Sequence, residues 1–359
     1  MRGPCFREEL GRGLNPSSLG IVGGNNPWRI PRRPVSLRNM TEQLLLTGAT
    51  GFIGNRVFRS LREDGWGVRC LTRRPEAARQ AWPDRDWVAG DAEDGEALAR
   101  AMDGCRVAFY LIHGMGELHP DWVERELATA ERFSRAAACA GVERIVYLGG
   151  VAPAGPPSAH LRARLETGQA LRAGQVSCLE LRAGMIVGAG SASWTIVRDL
   201  AARLPAMVLP AWLDHRSEPV AVDDVVAALV RAARLPLAGS DLWDLPGPEA
   251  LSGVEILQRS AALMGRKPIL LRVPFVTPKL SSHWIRLVTR TDYRLAAELV
   301  EGLTSELLAS RYGFWASAGL PEPLRLEEAA ARALAAEAGR LSRGARLMEA
   351  LAGALMRRA

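Results

Sequence analysis

The amino-acid sequence predicts an α/β fold, in which a doubly wound parallel sheet is followed by a smaller and less regular subdomain. Apolar segments alternate with segments of helical periodicity from residue 44 to residue 181. Such alternation is typical of a parallel sheet. The apolar segments are continuous, which indicates strands covered by helices on both faces. A glycine-rich turn joins the first strand to the first helix and is the strongest single signal.

That turn is the first element to justify. A strand is predicted over Leu44–Thr47 and a helix over Phe52–Arg62, with glycines between and within them. Gly48 permits a sharp turn, Gly51 leaves room for a pyrophosphate, and Gly54 lets the helix approach the sheet. The helix N-terminus offers N–H groups and a positive dipole end to an anion. This context predicts a dinucleotide phosphate site at Gly48, Thr50, Gly51, Phe52, Ile53 and Gly54. The alternative is a plain strand-to-helix turn.

The remaining elements follow the same alternation. Further strands are predicted at Gly67–Thr72, Trp87–Ala89, Arg106–Ile112, Arg144–Gly149 and Val176–Leu181. The helices between them are predicted after Pro75 and over Asp94–Met102, Pro120–Ala140 and Leu161–Ala173. Together these elements predict a Rossmann-type doubly wound sheet.

The second half of the chain predicts helices separated by one late strand. The helices are expected at Ser191–Leu204, Val222–Arg234, Ser252–Met264 and Ser281–Leu308, and the strand at Asp241–Leu245. Ser252 and Glu255 have the spacing of a capping box. In residues 321–359, apolar side chains recur at helical spacing, which favours a helix packed on the body or on a partner subunit over a membrane-surface helix.

These patterns predict four regions. Residues 1–39 form a disordered leader, and Met40 is the expected native start. A dinucleotide-binding domain covers residues 40–185 and is completed by about 218–246. Residues 186–217 and 247–320 form the small substrate or lid subdomain, and 321–359 form a helical tail.

The charge distribution and composition of the chain exclude several functional classes. Residues 1–39 hold seven arginines and two glutamates, which is +5 of the net charge of +7, so the remaining 320 residues are nearly neutral. A basic groove for nucleic acid is therefore not expected. The five cysteines are scattered and the five histidines lack metal-ligand spacing, so we expect a cytoplasmic protein without a metal site. No apolar run reaches the ~18 residues of a transmembrane helix.

Cofactor choice is predicted from the end of the second strand. An acidic residue there would favour NAD(H), whereas arginine favours the 2′-phosphate of NADP(H). The strand ends in Thr72-Arg73-Arg74 without an acid. NADP(H) is therefore preferred and NAD(H) stays open, since both arginines could instead be solvated surface residues.

Several motifs resemble those of atypical and extended short-chain dehydrogenase/reductase (SDR) proteins. They are the glycine turn with its G-x-x-G-x-x-G spacing and the segments Tyr110–Met115, Arg144–Gly150, His160–Gly168 and Leu181–Ser191. The branch resembled is the NAD(P)H-binding, epimerase-like group related to NmrA-like proteins, and the resemblance spans about Met40 to Leu308. It implies that Asp91 and Ala92 contact the adenine, although Asp91 could also cap the next helix. It also implies that Leu111 and Gly149 lie beside the nicotinamide ribose.

The sequence departs from the SDR pattern where the catalytic residues are expected. Typical SDR enzymes use a serine after the fifth strand and a Tyr-x-x-x-Lys pair. This chain has Gly149 at the serine position and no lysine before Lys267. The remaining candidates are His113, which could equally be a packing residue, and His160 with Arg164 on one helix face.

Two functions are consistent with these residues. One is an NADP(H)-dependent oxidoreductase acting on a small or lipophilic carbonyl or alkene, with His113 or His160 as proton donor and Arg164 and Arg182 placing the ligands. The other is a non-catalytic NADP(H) sensor or assembly factor. Arg216 could bind an anionic substrate or be a surface arginine. A homo-oligomer or protein partner could dock on the C-terminal helix.

Overall fold

The computed structural model describes residues 42–112, 121–273, 300–301 and 304–340. Within them, seven parallel strands form the central sheet. They are β1 (Gln43–Leu46), β2 (Gly67–Thr72), β3 (Asp86–Ala89), β4 (Cys105–Tyr110), β5 (Arg144–Gly150), β6 (Cys178–Ala183) and β11 (Asp241–Asp244). Their spatial order is β11-β6-β5-β4-β1-β2-β3, with every neighbouring pair parallel. The order reverses between β1 and β4, where a doubly wound sheet opens a crevice at its carboxyl edge. The predicted fold class is confirmed.

The part of the chain that the structure describes also forms α-helices. They are α1 (Gly54–Glu63), α2 (Pro75–Ala81), α3 (Gly95–Met102), α4 (Trp122–Cys139), α5 (Ala159–Ala173), α6 (Ala192–Arg203), α7 (Val222–Ala232), α8 (Gly253–Leu263), α9 (Phe314–Ser317) and α10 (Leu326–Arg340). Leu44 and Leu46 of β1 pack in the core formed with α1 and α7, whereas Leu45 packs in the core formed with α3, α4 and α5. Both faces of this strand are buried, in keeping with its continuous apolar run Leu44–Leu46.

Short strands connect the remaining elements. β7 (Ile186–Val187) pairs with β10 (Val220–Ala221), β9 (Arg216–Ser217) pairs with β12 (Leu251–Ser252), and β8 (Ala206–Leu209) pairs with β13 (Ile269–Arg272). The inner side of β8 packs on α6 and α8 through Met207 and Leu209. The capping box predicted at Ser252 and Glu255 is present at the start of α8.

The structure corrects several predicted boundaries. β6 begins two residues later than expected, and residues 304–308 of the predicted helix Ser281–Leu308 are not helical. Residues 281–299 of that prediction lie outside the described residues. In α10, Leu326, Ala330 and Ala333 are buried against Trp194 and Ile256 of the same chain. The apolar face of this helix is therefore buried against other residues of the same chain. No described helix is long and apolar enough to cross a membrane.

Candidate functional site

A cleft of about 650 Å³ opens at the carboxyl edge of the sheet, beside the point where the strand order reverses. The ends of β1, β2, β3 and β4 form its floor, and α2 and α4 form its walls. Seven predicted cofactor-binding residues line it: Gly48, Thr50, Thr72, Arg73, Arg74, Asp91 and Ala92. Predictions from three separate chain segments therefore meet in one cleft.

The glycine turn is built so that side chains cannot enter it. Gly48 has a φ of +67°, and a Cβ placed there would clash with the carbonyl of Leu111. A Cβ on Gly54 would clash in the same way with the carbonyl of Gly48. Gly51 is exposed, and its N–H donates to the Gly48 carbonyl at 2.9 Å. Backbone packed this closely, leading into the N-terminus of α1, fits a pyrophosphate cradle.

Thr47 fastens this turn to the neighbouring strand. Its hydroxyl donates to the Phe109 carbonyl at 2.8 Å and accepts from the Leu111 N–H at 3.1 Å. The side chain is fully buried. These bonds hold Leu111 against Gly48 at the reversal of strand order.

Arg85 supports the turn through its side chain, a role that no sequence pattern predicts. Its guanidinium donates to the Ala49 carbonyl at 2.8 Å and to the Asn55 side chain. It also stacks over the Phe58 ring at 4.3 Å. Burial lowers the pKa of this guanidinium, and nearby aromatic faces offset part of the cost of burying a cation.

Arg73 and Arg74 follow β2 and are exposed on the cleft rim. The Arg74 N–H donates to the Thr72 hydroxyl at 3.2 Å, which fixes the turn after the strand. Neither guanidinium forms an ion pair with a residue that the structure describes. Both cations can therefore approach a phosphate in the cleft.

Asp91 and Asp94 have different roles at the start of α3. Asp91 closes a local turn by accepting from the Glu93 N–H at 3.1 Å, and it lines the cleft. Asp94 is the helix cap, because it accepts from the N–H groups of Glu96 and Ala97. The alternative role of Asp91 as helix cap is therefore wrong, since Asp94 occupies that position.

The cleft walls include aromatic residues that are not among the predicted site residues. Trp82 ends α2, Trp122 begins α4, and Tyr110 ends β4. Tyr110 is almost fully buried, with its ring edge-on to Phe133 at 4.9 Å, and burial raises its pKa. In the sequence, these three residues share only their position at the end of a helix or strand. Aromatic residues at such positions are too frequent to identify a site.

The candidates on the other side of the strand reversal do not line this cleft. Arg164 donates to the Leu148 carbonyl at 2.8 Å, so its guanidinium lies at the carboxyl end of β5. His160 lies one turn earlier on α5 and is half-buried. Leu111, Gly149, Phe52 and Ile53 also lie outside the cleft lining. His113 falls outside the described residues.

The place of the expected serine is filled from the neighbouring strand. A Cβ on Gly149 would lie 2.8 Å from Oε1 of Glu180, whose carboxylate is almost fully buried. Arg172 donates to Glu180 at 2.7 Å, yet burial still raises the pKa of this carboxyl. A Cβ on Gly168 of α5 would also lie against the Glu180 carboxylate. A larger residue at position 149 would therefore require the buried Glu180 side chain to shift.

Arg182, which we expected to place a ligand, is instead part of a buried polar network. Its Nε donates to Asp244 of β11 at 2.7 Å. Asp244 also accepts from the N–H groups of Ser310 and Arg311. Arg216 pairs with Glu306 at 2.9 Å on the surface. Both arginines therefore hold the segment around residues 306–311.

The described residues contain no group of His, Cys, Asp or Glu that could hold a metal ion. Four cysteines are described, and all are free thiols. Burial raises the pKa of Cys70 to about 12 and that of Cys105 to about 11, so neither thiol is a nucleophile at neutral pH.

Comparison with known proteins agrees with this geometry. The model of an NAD(P)H-binding family matches residues 48–202. A ceramide reductase of Caulobacter vibrioides is 33% identical over 237 residues, which cover 64% of this chain and 73% of the relative. This chain belongs to the atypical SDR superfamily. The resemblance noted in the sequence is thereby confirmed.

Two further known proteins are similar to this SDR protein. A 3-diazoavenalumate denitrifying reductase of Streptomyces is 30% identical over 230 residues, covering 55% of this chain and 74% of the relative. The structure of Citrobacter triphenylmethane reductase complexed with NADP(H) aligns with a TM-score of 0.63 at 17% identity, covering 81% of this chain and 99% of that one. At that identity, the structural likeness shows the fold alone.

Proposed function

We propose that this SDR protein is an NADP(H)-dependent reductase of a small or lipophilic carbonyl or alkene. The observation that carries the proposal is the cleft rim at Arg73 and Arg74, where β2 ends without an acidic residue. A guanidinium binds phosphate through two parallel N–H donors, so a pair of them favours a 2′-phosphate over a free 2′-hydroxyl. NAD(H) remains the second choice.

In this proposal, different described residues contact different parts of the cofactor. The turn at Gly48, Gly51 and Gly54 holds the pyrophosphate, while Asp91 and Ala92 contact the adenine. Leu111 and Gly149 border the nicotinamide ribose. Bound NADPH would supply a hydride to the acceptor carbon. In this proposal a side chain of the protein supplies the proton that completes the reduction.

His160 is our proposed proton donor among the described residues, and His113 is the other candidate. His160 is half-buried and lies one helical turn before Arg164, which bonds to the Leu148 carbonyl of β5; imidazole can hold a transferable proton at neutral pH. Arg164 remains protonated, so its part is to position the ribose or the acceptor. The reductase names of the two sequence relatives support a reductase, and ceramide in one name supports a lipophilic acceptor.

A specific observation favours a second function, a non-catalytic NADP(H) sensor. Gly149 is packed against Glu180 where a catalytic serine would stand, and no Tyr-x-x-x-Lys pair exists. Such a protein would bind the cofactor without turnover.

The test is NADPH oxidation with a panel of aldehydes, ketones and long-chain ketones. We expect turnover with at least one acceptor, and a loss of roughly 100-fold or more in kcat for His160→Ala, as for removal of a general acid. His215→Ala is the matched control, because His215 is exposed and its Nδ1 lies 3.1 Å from the Trp212 carbonyl. Equal kcat in the two variants would remove His160 from the mechanism. Tight NADPH binding without turnover on any acceptor would support the sensor.

A further inference from the structure

The small sheet formed by β8 and β13 carries apolar side chains that are exposed among the residues the structure describes. Its register pairs Ile269 with Ala206 and Leu271 with Val208. The alternate residues Met207, Leu209 and Leu270 pack inward on α6 and α8. Exposure of the outer side chains is 46% for Val208, 65% for Ile269 and 51% for Leu271. We name Ala206, Val208, Ile269 and Leu271 the outer sheet surface.

This concentration of exposed apolar groups is unusual for the molecule. Among the described residues, the large hydrophobic side chains that are exposed are Val208, Leu263, Ile269, Leu271 and Tyr312. Three of them belong to the outer sheet surface, and Leu263 ends the helix that leads into β13. Isolated exposed leucines need no explanation, but a contiguous group marks an interaction site.

The charges around the outer sheet surface have one predominant sign. Residues 264–273 contain Arg266, Lys267 and Arg272 and no acidic residue, and residues 204–210 carry no charge. Lys267 is exposed two residues before β13. Arg272 lies opposite Leu209, on the inner side of the register, and forms a surface ion pair with Asp214 at 3.2 Å. Arg266 and Lys267 therefore supply the positive charge at the start of β13, next to the apolar strip.

We infer that the outer sheet surface docks on a membrane containing anionic phospholipids. Apolar side chains enter the boundary between head groups and acyl chains, while lysine and arginine beside them are attracted to the negative surface. A second copy of the chain fits less well, since it would bring two cationic borders together. The inference does not depend on the proposed reductase activity, although a lipophilic acceptor would be found in such a membrane.

The test is sedimentation of the full-length protein with phosphatidylcholine vesicles, with and without phosphatidylglycerol. We expect the protein to sediment with the anionic vesicles. Ile269→Glu combined with Leu271→Glu should lower the partition coefficient about tenfold or more, because two carboxylates would face the head groups. Lys267→Glu should lower it at least about fivefold, the effect of one charge near an anionic surface.

Two controls make these results specific. Arg100→Glu reverses a charge on α3, where Arg100 pairs only loosely with Glu96 at 3.6 Å on the surface, and it should retain the wild-type partition within about twofold. The arginines of residues 1–39 are present in every variant, so differences between variants report the outer sheet surface. NADPH titration of each variant establishes that the cleft is intact.

Three outcomes would overturn the inference. The first is wild-type protein that stays in solution with anionic vesicles. The second is equal sedimentation of wild type and the double glutamate variant. The third is a wild-type dimer in analytical ultracentrifugation that the same variant dissociates, which would assign the surface to a second copy.

Discussion

Gly48 shows how two separate constraints fix one residue. Its φ of +67° lies in the left-handed region, and its missing side chain leaves space for the Leu111 carbonyl. The first constraint alone would cost an alanine roughly 1–2 kcal/mol. The second adds the strain of forcing a methyl group into occupied space, about 1–3 kcal/mol.

The matched comparison is Gly48→Ala against Gly104→Ala. Gly104 has a similar φ of +71°, but nothing lies within 4 Å of an added Cβ. We expect Gly104→Ala to lower the free energy of unfolding by about 1 kcal/mol and leave NADPH affinity unchanged. Gly48→Ala should cost at least about 2 kcal/mol and weaken NADPH binding strongly. Urea unfolding and calorimetric titration measure both. Equal losses of unfolding free energy in the two variants would show that the close contact with Leu111 adds nothing to the cost of Gly48→Ala.

Single residues also mark the limit of sequence interpretation. Gly48, Arg73 and Asp91 could be predicted to share a site, because each follows a strand whose carboxyl end lies at one sheet edge. Arg85 could not, since its partners Ala49 and Asn55 are 36 and 30 residues earlier in the chain. Similarly, no local pattern reveals that Glu180 fills the space beside Gly149.

At the scale of the element, the start of α3 contains one aspartate that stabilises the helix and another that lines the cleft. Asp94 caps the helix through two backbone N–H groups, whereas Asp91 lies three residues earlier on the cleft wall. The two aspartates are chemically identical and close in sequence. Substitution of Asp94 should therefore change stability, whereas substitution of Asp91 should change cofactor affinity.

We expect Asp94→Ala to lower the free energy of unfolding by about 1 kcal/mol, the usual value of an N-cap, with NADPH affinity unchanged. Asp91→Ala should leave stability within about 0.5 kcal/mol and weaken NADPH binding roughly tenfold, through loss of a charge-assisted hydrogen bond. Chemical denaturation and calorimetry on both variants measure this. The assignment of Asp91 to the adenine would fail if its variant bound NADPH with wild-type affinity.

Long elements could be predicted from periodicity, and short ones could not. The central strands and helices α1 to α8 lie close to their expected positions, because apolar period and capping residues are local signals. The two-residue strands β7, β9, β10 and β12 have no period to detect. They exist because distant segments meet, as where Ser217 pairs with Leu251. The lid role of this second half remains a prediction.

At the scale of the whole molecule, buried carboxylates connect the C-terminal segment to the sheet. Asp244 accepts from Arg182 and from the backbone of Ser310 and Arg311, and Glu218 accepts from the Ala309 N–H at 2.6 Å and the Tyr312 hydroxyl at 2.8 Å. Both carboxylates lie far from these partners in the chain. This is why the sequence placed Arg182 at a ligand: its true partner becomes its neighbour only when β11 joins β6.

The measurement that tests the account most directly is calorimetric titration of the folded protein with NADPH and with NADH. We expect NADPH to bind more tightly. Replacing both Arg73 and Arg74 with alanine should weaken NADPH binding about 10- to 100-fold, as for loss of charge-assisted hydrogen bonds, and leave NADH binding unchanged. Arg100→Ala, a surface arginine outside the cleft, is the control. Equal affinities of the wild-type protein for NADPH and NADH, or no binding of either, would contradict the account.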